Sequence, residues 1–152
     1  MILYLDTSAL VKLYVIEPDS DRVRAWVEAS ELVAVCRIAW AEACAAFARR
    51  AREMPADQGV LEQARQALGR DWPHCCIMEL TQALMERACE YAEVFALRAY
   101  DGVQLAAAAA LRDAVGGAVA FTCFDQRLDT SKNLLRGRMA ALRGARMLAY
   151  LL

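Results

Sequence analysis

The sequence predicts an α/β protein built around a mainly parallel sheet. Short apolar runs bounded by breakers occur at 2–5, at 32–36 (LVAVC), at 75–80 (CCIMEL) and at 118–124 (AVAFTCF). They alternate with longer segments of helical period. The runs are near-continuously apolar instead of alternating with polar residues, as strands covered on both faces are. Regular strand–helix alternation calls for βαβ crossovers, which join parallel strands.

The first strand, in MILYLDTSAL, runs directly into Asp6, Thr7 and Ser8. Helical segments follow at 8–15 and 19–29, with Asp19 and Ser20 as candidate caps of the second. Beyond the strand at 32–36, segments 38–53 and 56–71 read as an amphipathic helical pair. Trp40, Phe47, Leu61 and Leu68 are assigned to the core, whereas Trp26 and Trp72 fit either core or interface. A helix over 81–97 is capped by Thr81, and Asp101 opens the helix over 101–114. That helix contains LAAAAAL, a strong helix former, and Gly116-Gly117 ends it. In such an architecture a ligand sits at the carboxyl ends of the strands.

The length, 152 residues with 59% hydrophobic, fits one domain over 1–152 with a substantial core. A formal net charge of −1 excludes a broadly basic nucleic-acid binder and leaves room for a local basic patch. The apolar runs fall short of the ~20 residues that a membrane span needs. Asp6 interrupts the N-terminal run before it reaches the length of a signal peptide. No membrane association and a cytoplasmic location are therefore expected. Cys36, Cys44, Cys75, Cys76, Cys89 and Cys123 form no C-x-x-C pair, and His74 has no ligand-spaced partner. A zinc site is not expected, and the thiols read as reduced and mostly buried.

Four acids stand where the chain leaves or approaches the strands. Asp6 follows the first strand, and Asp125 follows the fourth in FTCFD. Glu42 lies early in the third helix among Ala39, Trp40, Ala43 and Ala46, and Asp101 sits in RAYDGVQLAAA. Packed carboxylates repel one another unless something positive intervenes, and no lysine or histidine is evidently placed to do so. A hard divalent cation with oxygen ligands, Mg²⁺ or Mn²⁺, suits such a cluster. Taken singly, Asp6 and Asp101 read equally as helix caps, Glu42 as a residue of a solvated helix face, and Asp125 as a turn residue.

Four stretches together, YLDTSALVKLY, AEACAAFARR, YDGVQLAAAA and FTCFDQRL, resemble the PIN-domain ribonucleases, in particular the VapC-type toxins of toxin–antitoxin pairs. The resemblance covers about residues 1–128. It implies a three-layer α/β/α fold with a central parallel sheet of four to five strands. It also implies a metal-dependent endonuclease that hydrolyses RNA, often as a homodimer, with a small antitoxin encoded nearby. In that family the acids matching Asp6, Glu42, Asp101 and Asp125 bind Mg²⁺ or Mn²⁺ and support hydrolysis. We expect Asp6, Asp101 and Asp125 as metal ligands, with Glu42 in support. Ser8 and Thr122 match polar positions beside the acids.

The tail departs from the family pattern. Residues 126–152 carry Arg127, Lys132, Arg136, Arg138, Arg143 and Arg146 against Asp129 alone, a net of +5, and 146–152 is the candidate for a last strand. The basic end suits either phosphate contact or simple solvation, and Asp129 reads as a further site acid or a surface residue. Arg49, Arg50 and Arg52, beyond Glu42 on the same helix, are candidates for guiding an RNA backbone, with an exposed charged face as the alternative. Three rival functions are open to such a sequence. A haloacid-dehalogenase-type phosphatase would place a second Asp where Ser8 stands, and a response-regulator module would need a late strand-end lysine that Lys132 does not supply. A catalytically inactive PIN-like binding module would keep the fold without the chemistry.

Overall fold

The computed structural model describes residues 1–124, 140–141 and 148–151. The elements run β1 (Ile2–Leu5), α1 (Thr7–Tyr14), α2 (Ser20–Ala29), β2 (Leu32–Cys36), α3 (Ile38–Glu53), α4 (Gln58–Asp71), β3 (Cys76–Met78), α5 (Gln82–Phe95), α6 (Ala99–Val115), β4 (Val119–Cys123), β5 (Ala140–Ala141) and β6 (Leu148–Leu151). The sheet order is β3-β2-β1-β4-β6-β5. The first four strands are parallel, in register Leu3↔Val33, Leu3↔Ala120 and Val35↔Ile77. β6 pairs antiparallel with β4, and β5 with β6. The parallel sheet thus has the expected four strands. The last strand falls within 146–152 and extends the sheet with the opposite polarity.

Chain order and handedness together decide which helices cover which face. The steps β1→β2→β3 move in one direction across the sheet, and the step β3→β4 returns past β1. Right-handed crossovers then place α1 to α4 on one face and α5 and α6 on the other. Strand alternation agrees. Leu3, Leu5, Val35 and Ala120 join Leu10, Val23, Phe47, Leu61 and Leu68 in one cluster. Tyr4, Cys36 and Phe121 join Leu84, Ala88, Val103 and Ala107 in the other. The Tyr4 and Phe121 rings stack at 5.5 Å between neighbouring strands. This is the three-layer arrangement, and β1 and β4 flank the point where the strand order reverses.

Several local expectations change in the structure. Phe47, Leu61 and Leu68 are buried, but Trp40 is 36% exposed. The buried stripe of α3 is Ala39, Ala43 and Phe47. Trp40 lies one position off that stripe and packs edge-on against the buried Trp72 at 5.1 Å. Asp19 precedes α2 in the left-handed region (φ 71°) with no side-chain cap bond, and its carboxylate pairs with Arg22 instead. Ser20 ties the turn, donating to the Val15 carbonyl and accepting from the Glu17 N–H. Thr81 does cap α5, through the Leu84 N–H. β3 is shorter than CCIMEL suggested, because beyond Met78 the chain leaves the sheet edge and Glu79 pairs with Arg37. All six cysteines are free, and only Cys36 and Cys123 are buried. His74 closes a 3-10 turn at the amino end of β3, the end of the sheet opposite Asp6.

The contact between α5 and α6 depends on a glycine. A Cβ at Gly102 would stand 2.8 Å from the Ala88 carbonyl oxygen, so any side chain there forces the helices apart. Gly102 is the neighbour of Asp101, and the close approach therefore sets where that acid lies. Gly102→Ala is expected to cost about 1–3 kcal/mol through overpacking, read as a lower denaturant midpoint with an unchanged slope. Wild-type stability would show that the helices can separate freely.

Candidate active site

β1 ends in the middle of the sheet, and the Asp6 N–H continues its ladder by donating to the Thr122 carbonyl at 3.1 Å. The chain then turns into α1. Asp6 is the N-cap of that helix, its Oδ1 accepting from the Ala9 N–H at 2.9 Å. The Ser8 hydroxyl donates to the same oxygen at 2.7 Å. Ser8 Oγ in turn accepts from the Phe124 N–H at 2.7 Å, which ties the first turn of α1 to the end of β4. The cap reading of Asp6 is therefore correct, and it does not compete with a functional one: a single carboxyl closes the helix and faces the cleft.

Asp6 is only 5% exposed. Burial pushes its carboxyl up to about 6; hydrogen bonds from Cys123, Ser8 and the Ala9 N–H pull the other way, and the charge of Glu42 adds to the rise. Asp6 is thus a carboxylate whose charge the fold does not fully compensate. The same environment acts on Tyr4, whose phenol is held well above its ordinary value by burial, then by Cys36, Asp6 and Glu42.

Glu42, one turn into α3, is half-buried and fixed from two sides. The Thr7 hydroxyl donates to its Oε2, and so does the Gln104 amide, at 3.0 Å. Asp101 lies in the first turn of α6, where the helix N-terminus favours a negative charge. Asp6, Glu42 and Asp101 line one cavity of about 980 Å³ at the carboxyl end of the sheet. Three of the four predicted acids therefore converge from β1, α3 and α6. Asp125, the fourth, and Asp129 and the basic tail residues lie outside the described residues.

Among the described residues, no group of three His, Cys, Asp or Glu side chains is close enough to hold a metal ion. Mg²⁺ asks for less, since it binds through one or two carboxylates and keeps several waters. The oxygen-only donors at Asp6 and Asp101, one of them destabilised as an anion by burial, fit a hydrated hard cation. Arg49 and Arg52 line the same cavity and make no ion pair among the described residues. Arg50 also lines it but is committed to Asp57 at 3.1 Å and Glu17 at 3.5 Å.

Comparison with known proteins agrees with this geometry. The PIN domain family model matches residues 3–131. The chain belongs to the PIN-domain family. Two curated relatives from Mycobacterium tuberculosis strains, Ribonuclease VapC45 and Ribonuclease VapC49, are each 30% identical over 139 residues, 91% of this chain and 94% of theirs. Among solved structures, a toxin–antitoxin complex from Klebsiella pneumoniae aligns with TM-score 0.59 at 18% identity, covering 82% of this chain and 87% of that one. The Mycobacterium tuberculosis VapC20 toxin, described as cleaving the sarcin–ricin loop, aligns with TM-score 0.56 at 18% identity over 75% and 83% of the two chains. At that identity, the solved structures speak to the fold.

Sequence reasoning missed several residues of this PIN domain's cleft. Gln104 was hidden in an alanine-rich helix, although its i,i+3 spacing from Asp101 puts both on one face. Lys12, four residues after Ser8 on α1, lines the cavity too. Its ammonium reaches Glu17 at 3.1 Å and the Pro18 carbonyl at 3.0 Å and lies 4.9 Å from the Phe124 ring centre. A lysine is therefore present in the cleft, with its charge directed to Glu17. Thr122 contributes its backbone carbonyl, while its buried hydroxyl has no hydrogen-bond partner among the described residues. Strand alternation puts Cys123 on the other face, with Sγ 3.8 Å from Ser8 Oγ. Cys123 lies beside Asp6 and hydrogen-bonds its carboxyl.

The perturbed carboxyl predicts an inverted pH dependence. An unfolded aspartate titrates near 3.9 and native Asp6 at about 6. Between those values the native state binds more protons, so this group's contribution to stability falls as pH rises from about 4 to about 6. The full shift corresponds to at most roughly 3 kcal/mol. Asp6→Asn keeps the Oδ1 acceptor for Ala9 and Ser8 and removes the charge. In chelator, the variant is expected to melt higher than wild type at pH 7 and to converge with it near pH 4. Parallel melting curves across that range would count against the buried charge.

Proposed function

We propose that this PIN domain is a divalent-metal-dependent ribonuclease and the toxin of a toxin–antitoxin pair. The observation that carries the reading is the convergence of Asp6, Glu42 and Asp101 on one cleft, in a family whose curated relatives here are named ribonucleases. Asp6 and Asp101, with Asp125 as the expected third acid, would hold Mg²⁺ or Mn²⁺, which would supply an activated water and offset charge on the phosphodiester. No residue of the chain is needed as a covalent nucleophile.

The protein's own part is binding and orientation. Asp6 presents its carboxylate from a fixed helix cap, so its position does not depend on a mobile side chain. Glu42 is held at Oε2 by Thr7 and Gln104 and presents a second acceptor to water or to the reacting phosphate. Arg49 and Arg52 offer charge to the RNA backbone along the cleft wall, whereas Arg50 buttresses that wall through Glu17 and Asp57. A small antitoxin encoded nearby covers the cleft, and one of its basic side chains can meet the acids in the cation's place. The active form is a homodimer.

Purified protein is expected to cleave structured RNA with Mg²⁺ or Mn²⁺ and to stop in chelator. Asp6→Asn and Asp101→Asn should each lower cleavage by about 10²-fold or more, the scale of losing a transition-state electrostatic contact. Arg49→Ala with Arg52→Ala should raise KM and flatten its salt dependence. Expression alone should slow growth, with rescue by the neighbouring antitoxin gene. Undiminished cleavage by the Asp101→Asn protein would remove the assignment.

A further inference from the structure

The cleft contains a hydrogen-bond chain that reaches through α6 to the opposite face of the sheet. The Tyr4 hydroxyl donates to Gln104 Oε1 at 2.8 Å. Gln104 Nε2 donates to Thr7 Oγ1 at 3.1 Å and to Glu42 Oε2 at 3.0 Å. Thr7 donates to the same Glu42 oxygen. Tyr4 is completely buried and Gln104 is 4% exposed, so no bulk water competes for these groups.

The direction of the chain is determined by charge. An ionised Glu42 only accepts hydrogen bonds, so the Gln104 amide must turn its NH₂ toward it. Reversal would set Oε1 against the carboxylate and leave the Tyr4 hydroxyl without an acceptor, in a setting where an unmet polar group costs most. Tyr4 therefore locks the amide, the amide and Thr7 lock Oε2, and Oε1 of Glu42 is left without a protein donor among the described residues.

We propose that Gln104, locked by Tyr4, is a positioning residue that holds the Glu42 carboxylate in its working orientation. The proposal rests on the ribonuclease reading and assigns within it a part to two residues that are not acids. Gln104 acts through Glu42 and not on the substrate. Its loss changes where that carboxylate points without removing a charge or a phosphate contact. The polar chain also explains why a glutamine stands in an otherwise apolar helix face between Val103 and Leu105: it is the one buried polar residue of α6.

The test is single-turnover cleavage of a structured RNA in Mg²⁺ by wild type, Gln104→Met, Tyr4→Phe, Glu42→Gln and the double variant Gln104→Met/Glu42→Gln, with melting temperatures alongside. Methionine keeps the volume of glutamine and removes the hydrogen bonds. Gln104→Met should lower the cleavage rate tenfold or more at an unchanged half-saturating enzyme concentration, and Tyr4→Phe should lower it less. Adding Gln104→Met to Glu42→Gln should cost nothing further, because residues acting as a unit are not additive. A purely packing role predicts an additive loss that tracks melting temperature. A wild-type rate in Gln104→Met, or an additive loss in the double variant, overturns the proposal while leaving the ribonuclease intact. An inert wild-type protein, or full activity in Glu42→Gln, removes the reading on which it rests.

Discussion

A buried carboxylate at the end of a central strand constrains everything around the cleft. Asp6 cannot move toward solvent, because its backbone N–H is already bonded to β4 and its Oδ1 closes the first turn of α1. The hydrogen bonds it receives moderate the cost of the charge without removing it, and its carboxyl remains raised. Such a residue lowers the stability of the metal-free fold. It is retained where the charge is used, which is the general link between perturbed titration and function.

The surroundings of Asp6 divide into polar and apolar work. On one side Ser8 couples α1 to the end of β4 through the Phe124 N–H, so the two strands that flank the reversal of strand order share one polar anchor. On the other, the Tyr4–Gln104–Thr7–Glu42 chain joins β1, α6, α1 and α3. Beneath both, the Tyr4–Phe121 stack fills the space between strand and helix. Gly102 lets α6 lie against α5 closely enough for Asp101 and Gln104 to reach the same cavity. The described residues of the site are therefore positioned by regular elements, which is the condition for holding carboxylates in fixed relation.

Charge in the cleft is arranged more economically than its composition suggests. Lys12 and Arg50 both line it, yet both are bound to Glu17, and Arg50 to Asp57 as well. Their role is to build the wall: Lys12 lies over Phe124, which stacks on Trp26, and Arg22 lies over Trp26 in turn. Among the described cations that line the cleft, Arg49 and Arg52 make no ion pair. A net charge near zero is thus compatible with an RNA-processing cleft, because what matters is which cations are unpaired at the mouth.

The sequence alone was enough to place the elements, since apolar runs and helical periods are local properties and Thr81 caps the helix that its residue type announces. It also singled out the acids, because a carboxylate directly after an apolar strand is visible in the one-letter code, and the family resemblance joined them into one site. Only the tertiary structure decided which polar side chains meet. Gln104 lies 100 positions from Tyr4 and 62 from Glu42, so no local pattern reports the contact. Cys123 stands beside Asp6 because strand alternation decides which of two adjacent residues faces the helix. Trp40 is half exposed because a 100° step round α3 turns it off the buried stripe. Local sequence specifies what each segment forms; the direction in which its side chains point depends on how those segments pack, and that is settled by contacts between residues far apart in the chain.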